Sequence, residues 1–272
     1  MKLTLDQKML LFIWKWKLCT ASCLYVKFMP NLQANTAYKR IENLKKRGLI
    51  CLQSDKAGEV SPWTLTKKGF ESIKSLLPDL AEEGFQSETL IHDQLVTAIH
   101  LGEWLVGLPE GCELITEQEL RRLHPEHYPN WVPQSKVHRP DGYWYIGGNE
   151  NVIALELEIS RKQQDLYISI CQFYKKQAQI TTVVWVVNNK SQAHGLHSLF
   201  EEWGAKYQHQ FILLSAIQKL GWKAPIVIGS KSGKTLSQIL VKNASKTHQN
   251  FDFSILLDSR KFPKLQAVKN QA

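Results

Sequence analysis

The sequence predicts a chain of the α/β (α+β) class built as two parts, a basic helix-rich front and a larger mixed-sheet body. Three observations predict it. Helical periodicity dominates the first 80 residues, interrupted by two short apolar runs flanking a glycine-containing turn. From residue 143 onward, β-branched and aromatic runs alternate with amphipathic helical stretches, as in a sheet covered by helices. Charge is also partitioned: 14 basic against 6 acidic residues in 1–80, 4 against 14 in 81–160, and 16 against 5 in 161–272. A basic front and rear around an acidic centre suits a nucleic-acid binder with a cation site in the middle.

Residues 5–28 read as a helix carrying aromatic and aliphatic side chains throughout. A second helix follows Pro30-Asn31, with Asn35 or Thr36 as its cap and Gly48 at its end. Ala37, Ile41 and Leu44 recur at helical spacing, which turns Tyr38, Lys39, Lys45 and Lys46 outward. Residues 49–53 and 60–64 flank Ser54-Asp55-Lys56-Ala57-Gly58, a hairpin signal, and Leu65-Thr66-Lys67-Lys68-Gly69 opens a closing helix. The acidic stretch 78–86 marks the domain boundary. The expected domains are 1–80, 87–246, and a tail 247–272 to which no structure is assigned.

In the body, 87–106 reads as a helix with Leu90, Leu95, Ile99 and Leu105 as its buried stripe. Strands are expected at 113–116, 143–146, 152–159, 181–187 and 210–214, with helices at 161–179 and 192–206. The order is therefore α-β-β-β-α-β-α-β. Residues 124–141 form a long Pro-rich connection holding His124, His127 and His138. Gly229 to Thr235 has the look of a phosphate-binding loop. Three residues separate its glycines where that motif needs four, so ATP binding is not expected.

The stretch from His138 to Lys162 organises the body. It holds His-Arg-Pro-Asp-Gly and then Ala154-Leu155-Glu156-Leu157-Glu158-Ile159, the one place where carboxylates sit inside a strongly apolar segment. On a strand, Ala154, Glu156 and Glu158 share one face. Two adjacent buried carboxylates repel and are costly to desolvate, so a cation must offset them, either a side chain or a metal. Asp141 can complete an oxygen-ligand site for Mg²⁺ (or Mn²⁺). Ser160 and Gln163 suggest a capping box, which would set Arg161 and Lys162 in the first helical turn. Cations are disfavoured there, unless they face Glu156 and Glu158 or a bound phosphate. The plain alternative is a half-buried strand with two solvated glutamates and a basic loop.

Five cysteines with no CxxC pair argue for a reducing compartment and against a disulfide framework. No apolar run of membrane-spanning length and no convincing leader occurs, so the expectation is a cytoplasmic protein without a membrane partner.

Pro140-Asp141 and Glu156-Leu157-Glu158 resemble the PD-(D/E)XK nuclease superfamily, with Glu158 standing where that family has lysine and Lys162 as a displaced version of it. More narrowly, Arg139-Pro-Asp-Gly, Glu-Leu-Glu, Ser160, Lys162 and a later tyrosine resemble the plasmid replication-relaxation proteins and the related MobC-type relaxases. The resemblance covers most of the chain to about residue 215. It implies an N-terminal winged helix-turn-helix and a restriction-endonuclease-like mixed-sheet domain. Helix, helix, basic helix, hairpin, helix is indeed the winged-helix order. The basic helix of such a domain lies in the major groove. Gln33, Asn35 and Tyr38 are then candidate base or sugar contacts, and Lys39, Arg40, Lys45, Lys46 and Lys56 candidate phosphate contacts; a winged helix used for protein contacts is the alternative. The relaxase pattern also points to His92 in His92-Asp93-Gln94-Leu95, although a lone His on such a helix is more often a surface residue.

The implied function is a Mg²⁺-dependent endonuclease or nickase acting at a specific double-stranded site in mobilisation or transposition. Asp141 and Glu156 would hold the metal, Glu158 would be a further ligand or base, and Lys162 would stabilise developing charge. Partner proteins would be those of transfer, replication or transposition. Two rivals stand beside it: a catalytically silent DNA-binding accessory protein, which Glu at 158 favours, and a transcription regulator.

Overall fold

Lys17 breaks the long helix expected over residues 5–28. In the computed structural model, which describes residues 2–53, 61–134, 137–147, 151–205, 208–240 and 251–258, α1 (Leu5–Trp16) ends where Lys17 takes φ 64°. A short strand β1 (Leu18–Cys19) follows, and then α2 (Ala21–Phe28), capped by Thr20, whose hydroxyl accepts from Cys23 N–H at 3.0 Å. Apolar periodicity could not separate these pieces, because Leu18 and Cys19 are as buried as the helices around them.

The chain divides into two compact units. The first comprises the described residues of Met1–Leu77, Phe85–Gln94 and Ser254–Ala272, and the second Pro78–Gly84 and Leu95–Phe253. The division is thus not the single cut expected near 78–86. Phe85 stacks on Phe70 with ring centroids 5.1 Å apart, and Ile255 O accepts from the Thr20 hydroxyl, which ties both outlying segments to the first unit.

After α1, β1 and α2, the first unit continues with α3 (Ala34–Lys46), β2 (Ile50–Leu52), β3 (Trp63–Leu65) and α4 (Lys67–Glu71). The three strands form an antiparallel sheet in the order β1-β3-β2. Ala37, Ile41 and Leu44 are fully buried, as their spacing predicts. The start of α3 differs from expectation: Gln33 is the N-cap residue, and no side chain caps the helix. Its end agrees. Gly48, at φ 70°, donates to Lys45 O, and Leu49 N–H reaches back to Leu44 O, the left-handed exit that glycine makes cheaply. Thr66 caps α4 through Gly69 N–H. The expected hairpin turn at 54–58 lies outside the described residues.

The division falls after Gln94, inside α5 (Leu90–Leu101). The second unit then runs β4 (Cys112–Thr116), α6 (Glu117–Arg122), β5 (Gly142–Ile146), β6 (Asn151–Glu158), α7 (Gln164–Lys176), β7 (Ile180–Val187), α8 (Lys190–Glu202), β8 (His209–Leu213), α9 (Leu214–Leu220), β9 (Ile226–Ile228) and α10 (Leu236–Leu240). A last short helix, α11 (Ser254–Leu257), returns to the first unit. The sheet order is β4-β5-β6-β7-β8-β9. β4, β5 and β6 form an antiparallel meander, β6, β7 and β8 are parallel, and β9 is antiparallel. The expected α-β-β-β-α-β-α-β order is present, with α6, α9, β9 and α10 beyond it.

β6 and β7 are buried on both faces, which is why they read as near-continuous apolar runs. Tyr143, Ala154 and Trp185 pack with Ile170, Tyr174 and Phe200 on the face that α7 and α8 cover. On the other face, the indole N–H groups of Trp144 and Trp222 donate to His100 O and Ile99 O, each at 2.8 Å. Burying tryptophan this deeply requires such a partner. α7 begins at Gln164 after an N-cap Gln163 with no side-chain bond, so the capping box expected at Ser160 does not form. Arg161 and Lys162 precede the helix rather than lying in its first turn. No helix among the described residues is long and apolar enough to cross a membrane.

Candidate functional site

The antiparallel β5–β6 pairing fixes the acidic cluster. Its register pairs Gly142 with Leu155, and continuing it by one residue sets Asp141 across from Glu156. Asp141 N–H donates to Leu155 O at 3.0 Å, and Leu157 N–H donates to Asp141 Oδ2 at 2.6 Å. The carboxylate therefore takes the place of a ladder carbonyl at the strand end. Gly142 is obligatory beside it, because a Cβ there would lie 2.1 Å from the His100 ring.

Glu156 and Glu158 are 3% and 1% exposed. Neighbouring side chains meet part of that charge, while Glu158 Oε1 has no hydrogen-bond partner among the described residues. Oε1 of Glu156 is shared by His138 Nε2, at 2.6 Å, and the Tyr174 hydroxyl, which donates to it from α7. Glu158 Oε2 lies 2.7 Å from Lys162 Nζ. Burial alone would push the Lys162 ammonium down. The Glu158 bond and the charges of Glu156, Glu158 and Asp141 outweigh it and raise its pKa. Tyr174 moves far up, first from complete burial and then from Glu156. Tyr143 moves up for the same two reasons. Neither phenol is a ready nucleophile at neutral pH. Tyr167 accepts Lys162 N–H at its hydroxyl, 2.9 Å away, and so holds the turn that delivers the lysine.

The structure thus brings Asp141, Glu156, Glu158 and Lys162 together. His92 lies in the first unit, 3.6 Å from Asp93, which also binds Lys17 at 3.0 Å. Sequence reasoning passed over His138 as loop; its position three residues before Asp141 was the available signal. For Mg²⁺, the donors as arranged do not fit. Among the described residues no group of three or more His, Cys, Asp or Glu side chains can hold a metal ion. The oxygens expected to bind it also accept bonds from Leu157, His138 and Tyr174.

A second candidate surface lies on α3. Gln33, Asn35, Tyr38, Lys39, Lys45 and Lys46 are exposed. Arg40 is exposed too, yet both its Nε and Nη2 are committed to Asp6 Oδ1, at 3.1 and 2.8 Å, while Arg47 holds Oδ2 at 2.6 Å. Lys45 lies 3.8 Å from Glu42 and over the Trp63 ring. The side chains of Gln33, Asn35, Lys39 and Lys46 have no hydrogen bond or ion pair among the described residues. Lys56 lies outside the described residues.

The basic turn 229–235 folds against the sheet instead of forming an open phosphate loop. Lys231 N–H donates to Gln210 Oε1, and its ammonium bonds Thr182 Oγ1.

Comparison with protein-family models, with curated proteins and with solved structures finds no match.

Proposed function

We propose that the chain is a double-stranded-DNA-binding accessory protein of a mobile genetic element, acting in mobilisation or replication. On this reading the first unit is a winged helix-turn-helix and α3 is its groove-reading helix. The second unit is a restriction-endonuclease-like module. The observation that carries the reading is the exposed row on α3, where Gln33 and Asn35 precede Lys39 and Lys46 with no side-chain partners among the described residues. Helix α3 also follows α2 after a short turn and precedes the β2 and β3 strands, which is the winged-helix order. The assignment to mobile elements rests on the Arg-Pro-Asp-Gly and Glu-Leu-Glu resemblance. The accessory role is favoured because Lys162, His138 and Tyr174 already compensate the buried carboxylates from within the protein.

A second reading, a nickase whose carboxylates would have to rearrange to hold Mg²⁺, is favoured by one specific arrangement. Asp141 stands across from Glu156, and Lys162 lies 2.7 Å from Glu158, the neighbourhood that the displaced-lysine reading requires.

One experiment separates them. The protein is incubated with supercoiled plasmid libraries in Mg²⁺ or Mn²⁺, and bound and nicked molecules are counted. Retention of particular sequences without nicking is the expected result. Nicking that disappears in Asp141→Ala would replace the accessory reading with the nickase. Sequence-independent retention that Lys39→Ala leaves unchanged would remove the α3 assignment.

A further inference from the structure

A cleft of about 660 Å³ opens between α7 and α8, beyond the carboxyl ends of β6 and β7. Crevices at that end of parallel strands are where α/β sheets hold ligands. Arg161 and Lys162 line one side, and Asn188, Asn189 and Gln192 the other. Glu202 is the one carboxylate in the lining.

The wall is built rather than incidental. Asn188 Nδ2 donates to Ile159 O at 2.8 Å, Gln192 Nε2 to Glu158 O at 3.2 Å, and Asn189 caps α8 through Gln192 N–H at 2.9 Å. These bonds tie the rim to the end of β6, directly behind the Lys162–Glu158 pair. Among the described residues of the lining, Arg161 is the cation without an internal partner, since Lys162 is held by Glu158. Arg161 is exposed, it lines the cleft, and its side chain has no hydrogen bond or ion pair among the described residues.

Gly195 supplies an independent observation. It lies inside α8 and on the cleft lining, where glycine costs about 1 kcal/mol relative to alanine. Nothing in the fold demands it. Its φ is not left-handed, and a Cβ there would meet no atom within 4 Å. The lining at Gly195 therefore carries no side chain and opens onto free space.

We propose that this cleft binds one nucleotide unit, its phosphate on Arg161 beside Lys162 and its sugar and base over Gly195. The volume is too large for a bare phosphate, and Arg161 offers an anion a guanidinium with no ion pair among the described residues. The source of that unit is either a single strand or a free mononucleotide. The inference rests on the DNA-binding reading only for the choice of strand as the first probe.

The test uses the full chain. A fluorescein-labelled oligo-dT of ten nucleotides and, separately, thymidine 5′-monophosphate are titrated against the wild type, Arg161→Glu and Gly195→Phe. Lys39→Ala is run in parallel with duplex DNA. Arg161 and Gly195 are both exposed, and thermal unfolding checks that each variant folds. The expected result is oligonucleotide binding that weakens roughly tenfold or more in each cleft variant, the size of a lost charge-assisted contact. If the mononucleotide alone binds, and the cleft variants abolish that, the cleft stands with the free nucleotide as its ligand. Equal binding by wild type and both variants overturns the proposal, as does binding of neither probe. Loss of duplex binding in Lys39→Ala but not in Arg161→Glu concerns the first unit alone, so failure of one reading is distinguished from failure of the other.

Discussion

The two units handle charge in opposite ways. On α3 the cations stand in water, where each ion pair is worth little and can be given up to a partner. On β6 the carboxylates are buried, where each must be compensated or the fold loses several kcal/mol. Asp6 of the first unit and Glu158 of the second show the contrast. Asp6 is 23% exposed at its side chain and gathers two exposed arginines. Glu158 is 1% exposed and has one half-buried lysine. A surface built on the first plan is free to bind; a cluster built on the second is first of all a structural commitment.

The largest effect should come from breaking the buried pair. Lys162→Ala strands Glu158 and should cost about 2–3 kcal/mol. That is below the ~3–5 expected for a fully buried pair, because a third of the lysine side chain is exposed. Adding Glu158→Gln should recover most of the loss in urea unfolding. A cost under about 0.5 kcal/mol for the single variant would place β6 in the same class as the surface pairs. The pair also predicts alkaline sensitivity. The folded pKa of Lys162 lies above its ordinary 10.5, so its contribution is complete below 10.5 and fades as pH rises through the raised value.

His209 sharpens the comparison from the acid side. It is buried between Phe200 and Trp185, and it accepts the Trp185 indole N–H at Nδ1. Burial, with His197 nearby, lowers its pKa from 6.5 to about 3. The folded chain keeps it neutral while the unfolded chain protonates, so stability is full above pH 6.5 and falls as pH drops toward 3. The slope approaches about 1.4 kcal/mol per pH unit for this one group. His209→Gln keeps an acceptor for Trp185 and should flatten the slope; an unchanged slope would assign acid sensitivity elsewhere.

Much of this was legible in the residues, for reasons that differ by element. β6 and β7 were found because burial on both faces leaves a run of apolar and β-branched residues that nothing else produces. Ala37, Ile41 and Leu44 were found because one buried helical stripe has a period. The break at Lys17 was not, because a two-residue strand carries no period and Leu18 and Cys19 are apolar in either state. The start of α7 was misplaced because Ser160 offered a cap that the chain does not use. In the acidic cluster, the need for a cation was readable from Glu156 and Glu158 alone. Which cation answers it was not. That depended on the Tyr167 hydroxyl holding the Lys162 turn and on His138 reaching Glu156, and of these only the place of His138 three residues before Asp141 could be read in the sequence.

The smaller effects lie on α3. Lys39→Ala should weaken DNA binding several-fold and reduce the salt dependence by about one phosphate contact. Stability should be unaffected, since Lys39 has no ion pair among the described residues. Asp6→Asn should act in the reverse sense. It removes the charge that holds Arg40 and Arg47 and one of the two acceptor oxygens, and should cost less than about 1 kcal/mol, because all three groups are exposed or half-exposed. Arg40 then becomes available to a phosphate, so affinity for duplex DNA should rise modestly at low salt. If Asp6→Asn instead lowers affinity, the Asp6 clamp is what orients α3. The first unit would then share with the second a dependence on fixed ion pairs, and the contrast between them would narrow to one of burial alone.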